Sequence, residues 1–156
     1  MSASNSLMVL FFEIVKGNSQ LAIEKLSNSY EMGSTPEVII NELLHLIYTL
    51  MRFQSTKELG NIYEEYDKEQ IDLLIEYSSL SLLHQFWQIL LKGKEELRIA
   101  PQEIEALEIL IIRLTYSAKL PTIEQLVYSI NSKKNNDLNI NIDNNDIGND
   151  IKKILD

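Results

Sequence analysis

Apolar residues return every three or four positions along most of this chain and strict alternation is nearly absent, a pattern that predicts helices rather than strands. Asn5 or Ser6 is expected to cap a first helix with Leu7, Leu10, Phe11 and Ile14 on one face and Gly17 as its stop. Asn18 is expected to cap a second, carrying Leu21, Ala22, Lys25 and Leu26 and ending near Gly33. Thr35-Pro36-Glu37 joins three start signals: a capping hydroxyl, a proline where a helix needs no N–H, and an acid in the first turn. The helix it opens places Ile39, Leu43, Leu46, Ile47 and Leu50 together and runs to about Phe53.

Lys57 to Glu76 holds seven acids against two lysines and reads as a loop around Gly60 followed by a helix from about Lys68 to Tyr77. Such a charge run is either a solvated face or a surface for a basic partner. From Leu80 the apolar positions double, with Leu80, Leu83, Trp87 and Leu90 on one stripe and Leu82, Phe86 and Ile89 beside it. A charged turn marked by Gly93 is expected next, then a helix opened by Pro101. There Ile104, Leu107, Ile111 and Leu114 form one stripe, which Ile109, Leu110, Ile112 and Tyr116 widen. That width suits a central bundle helix, or one that packs on its own domain and on a neighbour. Thr122 and Gln125 have capping-box spacing, so a short last helix over Ile123, Leu126 and Val127 is expected. From Asn131 the composition shifts to eight asparagines and five aspartates in 26 residues. This tail is expected to be a disordered polar linker, leaving an all-α bundle of five to six main helices over 1–130 and a flexible segment over 131–156.

Composition narrows the function classes. With 156 residues, 45% hydrophobic and 24% charged, the chain supports one soluble domain. It contains no cysteine, which removes disulfides, thiolate metal sites and cysteine nucleophiles. No positive region precedes the early apolar run, and no stretch reaches the roughly 18 apolar residues of a membrane span, so a cytoplasmic protein with no membrane partner is expected. A formal net charge of -9 opposes direct binding of nucleic acid, which needs clustered cations to displace counterions.

Candidate chemistry fails in most places. No GxxxxGK[ST] or GxGxxG cradle is present, so the chain has no nucleotide-phosphate site of its own. Glu42 and His45 have the spacing of a di-iron helix ligand pair, but the second pair is missing: His84, the other histidine, has Ser81 three residues before it. The stretch Asp143, Asn145, Ile147, Gly148 fails as a calcium loop because Ile147 and Ile154 stand where oxygen ligands are required. No catalytic residue can be assigned. Glu108 and Arg113, set within the most apolar helix, are either a wet helix edge or ion pairs that fix register. Trp87 is either core or an interface anchor.

Four groups of residues carry a family resemblance. Phe12-Glu13-Ile14-Val15-Lys16-Gly17-Asn18, then Tyr30-Glu31-Met32-Gly33 with Pro36, precede Trp87-Gln88-Ile89-Leu90-Leu91-Lys92-Gly93 and the run from Ala100-Pro101 through Leu107-Glu108, Ile112-Arg113-Leu114 and Tyr116 to Leu120-Pro121. In this order and spacing, over roughly 7 to 128, they resemble the collar domain of the bacterial DNA polymerase III gamma/tau subunit. The resemblance implies a non-catalytic helical domain that joins other gamma/tau copies, delta and delta-prime, and in some bacteria psi, in a ring above the ATPase modules. ATP and Mg then belong to an earlier module, and this chain needs no cofactor. Trp87, Glu108, Ile112, Arg113 and Tyr116 are the candidate interface and register residues. The rival reading is a free-standing acidic helical adaptor that binds a basic protein through the 58–76 stretch.

Overall fold

The computed structural model describes residues 3–121 and 123–143, and every regular element among them is a helix. The chain divides into two compact units, Met1–Leu120 and Pro121–Asp156. The first contains α1 (Ala3–Val15), α2 (Ser19–Glu31), α3 (Pro36–Thr56), the single turn α4 (Ile62–Glu65), α5 (Lys68–Tyr77), α6 (Leu80–Ile99) and α7 (Glu103–Lys119). The all-α expectation therefore holds, with six longer helices and one short turn in this unit.

Local chemistry sets most of the boundaries. Asn18, Thr35, Asp67 and Ser79 each cap the helix that follows by accepting an N–H with their side chains, from Leu21, Val38, Gln70 and Leu82 respectively. Gly17, at φ +74°, turns α1 back onto α2 in the left-handed region that a side chain disfavours. α1 is one helical turn longer at its start than expected, beginning at Ala3.

Three further expectations need correcting. Gly93 does not mark a turn: α6 continues through it to Ile99, and the turn falls at Ala100–Gln102. Gly93 is buried because α7 crosses it so closely that an added Cβ would lie 2.3 Å from Leu110 Cδ1. Pro101 stands outside the helix it was expected to open, which begins at Glu103 without a side-chain cap. Finally, the acidic 57–67 segment is more than a loop, since Ile62 and Tyr66 of the α4 region are buried at 2% and 7% exposure.

α7 packs on α1, α2 and α6, while α6 also packs on α3. At the centre, Phe11 of α1 meets Phe86 of α6 edge to face, with ring centroids 6.0 Å apart. Around them Met8, Ile14, Leu26, Ile40, Leu43, Ile47, Leu50, Ile71 and Leu114 are fully enclosed. Thr115 is the buried polar residue of α7, and its hydroxyl is satisfied by Ile112 O at 2.8 Å and Ser19 Oγ at 2.7 Å, which ties α7 to the start of α2.

The second unit contains α8 (Ile123–Asp143). The helix was expected to stop near 130 and instead runs 13 residues into the proposed linker. No proline or glycine interrupts the sequence from 122 to 147, and an asparagine costs a helix only about 0.7 kcal/mol or less relative to alanine. The helix expected over Ile123, Leu126 and Val127 is therefore present, and these residues, with Tyr128, Ile130 and Leu138, are all exposed. The Thr122 cap, the calcium-loop stretch beyond Asp143 and the rest of the tail lie outside the described residues.

Candidate assembly surface

α7 is apolar on two opposite faces. Its inner face buries Leu107, Leu110, Ile111, Leu114 and Thr115. At 100° per residue, Ile109, Ile112 and Tyr116 fall on the other side of the same helix axis, and Leu120 follows them as the C-cap. They are 49%, 41%, 64% and 51% exposed. A single exposed isoleucine needs no explanation, but four large apolar side chains along one outer stripe form a continuous patch. Ile99, 86% exposed at the end of α6, adds to the apolar surface of the unit.

The five residues singled out in the sequence sort by position. Ile112 and Tyr116 lie on this outer stripe. Arg113 sits between them and forms an ion pair with Glu96 of α6, so it joins two helices of the same unit. Both partners are partly solvated, and such a pair contributes about 1 kcal/mol or less. Glu108 is half-buried and faces Tyr30 of α2, whose phenol is pushed up to about 12 by burial first and by the Glu108 charge second. Trp87 is half-buried and packs against the core. Ile109 and Leu120 complete the stripe, and the spacing of Ile109, Ile112 and Tyr116 was the signal that could have joined them to it.

Chemistry does not collect on this surface. Among the described residues no three His, Asp or Glu side chains are placed to hold a metal ion, and no helix is long and apolar enough to cross a membrane. The Glu42-x-x-His45 pair is instead drawn into a local contact, because His45 Nε2 lies 2.7 Å from Glu65 Oε2.

Comparison with protein families finds a match to DNA polymerase III subunits gamma and tau domain III, over residues 2–130. The chain belongs to this family. The match spans the whole helical unit that carries the α7 stripe and ends inside α8, so residues 131–143 extend the gamma/tau domain III region as a helical continuation. A search of curated proteins gives no match to the chain.

Proposed function

We propose that this domain is a non-catalytic assembly element of a clamp-loader gamma/tau subunit. The observation that carries the proposal is the second apolar face of α7: a helix already buried on one side keeps Ile109, Ile112 and Tyr116 in water on the other, with Leu120 exposed at its C-cap. Membership of the gamma/tau domain III family supplies the context. In this reading the stripe buries against the equivalent domain of another gamma/tau copy, of delta or of delta-prime, and psi is a further partner where it occurs. The ring so formed holds the ATPase modules of the parent subunits together while they load the sliding clamp on DNA. ATP and Mg act in those modules, and the chemistry of this domain is association alone.

Burying the remaining exposed area of each stripe residue contributes at most roughly 2 kcal/mol at about 25 cal/mol per Å², so the four side chains together can supply a substantial share of a specific interface. The test is sedimentation equilibrium over a wide concentration range, for the domain alone and mixed with delta and delta-prime collar domains. Concentration-dependent or mixed assembly is expected, and Ile112→Glu should abolish it while helicity is retained, because an unpaired carboxylate would have to be buried at the seam. A strict monomer that ignores both partners at high concentration refutes assembly by this domain alone.

A further inference from the structure

A groove of about 490 Å³ opens between α1, α3 and the α4 turn, away from the α7 stripe. It is lined by Leu7, Val38, Asn41, Glu42, His45, Glu65 and Tyr66. No residue of α7 takes part, so a molecule seated in the groove would leave the assembly surface free. The volume is that of a small-ligand site, which typically falls at about 300–1,000 Å³.

Three features of the lining set the chemistry of an occupant. Its floor is apolar, from Leu7, Val38 and the largely buried Tyr66 ring. Its walls carry two carboxylates and no lysine or arginine. Those carboxylates are incompletely used. Glu42 is half-buried yet accepts no hydrogen bond from a described residue, and Glu65 engages His45 through Oε2. A carboxylate can only accept, so the His45 ring must donate in that contact, leaving Glu65 Oε1 without a donor.

The field in the groove is correspondingly negative. The Tyr66 phenol is pushed up to about 12, by burial first and then by Glu65 and Glu42. Both carboxylates remain open to water, and a charged donor brought into contact with them forms charge-assisted hydrogen bonds, about twice as strong as neutral ones. The acidic 58–76 stretch therefore contributes here through one residue, Glu65, which the α4 turn carries to α3.

We propose that this groove is a docking site for an arginine side chain of a partner protein, with the apolar residue next to it in the partner's sequence resting on the floor. Arginine fits better than lysine because its planar fork offers five donors, enough to engage more than one carboxylate oxygen, and because it gives up hydration at lower cost. A metal ion is a poorer occupant, since the Glu42, His45 and Glu65 side chains are not arranged as a ligand set.

The test uses the full chain labelled with ¹⁵N and a blocked tripeptide, acetyl-Leu-Arg-Leu-amide, followed by amide chemical shifts. Saturable shifts confined to the amides around Leu7, Val38, Asn41, Glu42, Glu65 and Tyr66 are expected. Binding should weaken roughly tenfold when citrulline replaces arginine or when Glu42→Gln is introduced, the loss expected for one charge-assisted hydrogen bond. The same spectra report whether the variant remains folded. Absence of saturable shifts at the groove overturns the proposal, as does equal binding of the citrulline peptide. Perturbation of these amides by zinc or magnesium chloride, with none by the arginine peptide, overturns it in favour of a cation site.

Discussion

Replacing Gly93 by alanine should destabilise the protein, although the residue lies in the middle of α6 where alanine is intrinsically the better helix former. On propensity alone the change would stabilise by about 1 kcal/mol. The packing opposes it. The new Cβ would stand 2.3 Å from Leu110 Cδ1, 2.6 Å from Cδ2 and 2.9 Å from Cγ, whereas ordinary contacts begin near 3.4 Å. Relief requires Leu110 to retreat by about 3.4 − 2.3 = 1.1 Å, and Cγ is itself too close for rotation of the terminal methyls to suffice. Leu110 is 1% exposed, so it has no free space to enter. Overpacking of this kind costs about 1–3 kcal/mol, leaving a net loss of about 1 kcal/mol and at most about 2. Urea unfolding followed by far-UV circular dichroism, at one fixed protein concentration, reads the change. Leu110→Ala alone should cost about 2–5 kcal/mol through the cavity it leaves. The double variant should be less unstable than the sum of the singles by about 1 kcal/mol, because the new methyl occupies part of that cavity. A stabilised Gly93→Ala protein, or strict additivity in the double variant, would refute the close crossing of α6 and α7.

Gln54 is expected to hold α5 in place, since its Nε2 donates to Ile75 O and Ser78 O, each at 2.8 Å. Gln54→Leu should cost about 1–3 kcal/mol by stranding these carbonyls, and hydrogen exchange should quicken in α5 while α6 and α7 keep their protection. Equal acceleration everywhere would mean that the contact is not local. Stability should also fall as pH rises from about 10 to about 12. Tyr30 and Tyr66 ionise near 12 when folded against an ordinary value of 10.0, so within that window the unfolded chain binds fewer protons and is favoured. Below pH 10 both phenols are protonated in either state and add no slope. Tyr30→Phe and Tyr66→Phe should each flatten the fall in a pH series of urea melts, and an unchanged slope in both would remove these phenols as its cause.

The helices were legible where a period and a cap coincided. Thr35-Pro36-Glu37 announced α3, and Asn18 announced α2, because the capping bond spans three residues and depends on nothing distant. Long-range packing was not legible. Gly93 looked like punctuation, and only the approach of Leu110 from α7 explains why a glycine stands inside a continuous helix. Ile62 and Tyr66 were hidden among acids, since a single turn carries too few residues for a period to show. The double apolar character of α7 could be read from its sequence, but which of its faces remains in water could not. That assignment depends on α1, α2 and α6 occupying the other side. The groove was visible only as an isolated Glu42-x-x-His45 pair, because Glu65 reaches it from 20 residues further along the chain.

The turn at Gly17 abuts the end of α7: an added Cβ there would come within 2.7 Å of Lys119 Cγ and 3.2 Å of Thr115 O. α1 and α7 therefore finish at the same end of the bundle and run side by side in the same direction. The start of α1 and the end of α7 therefore lie at opposite ends of this bundle, separated by about 20 Å at 1.5 Å for each of the 13 residues in α1. Tension applied between those two helix ends would load the α1–α7 seam in shear. In that mode the contacts along the seam yield together rather than one after another, so the bundle would behave as a stiff strut, passing displacement from one end to the other with little extension of its own.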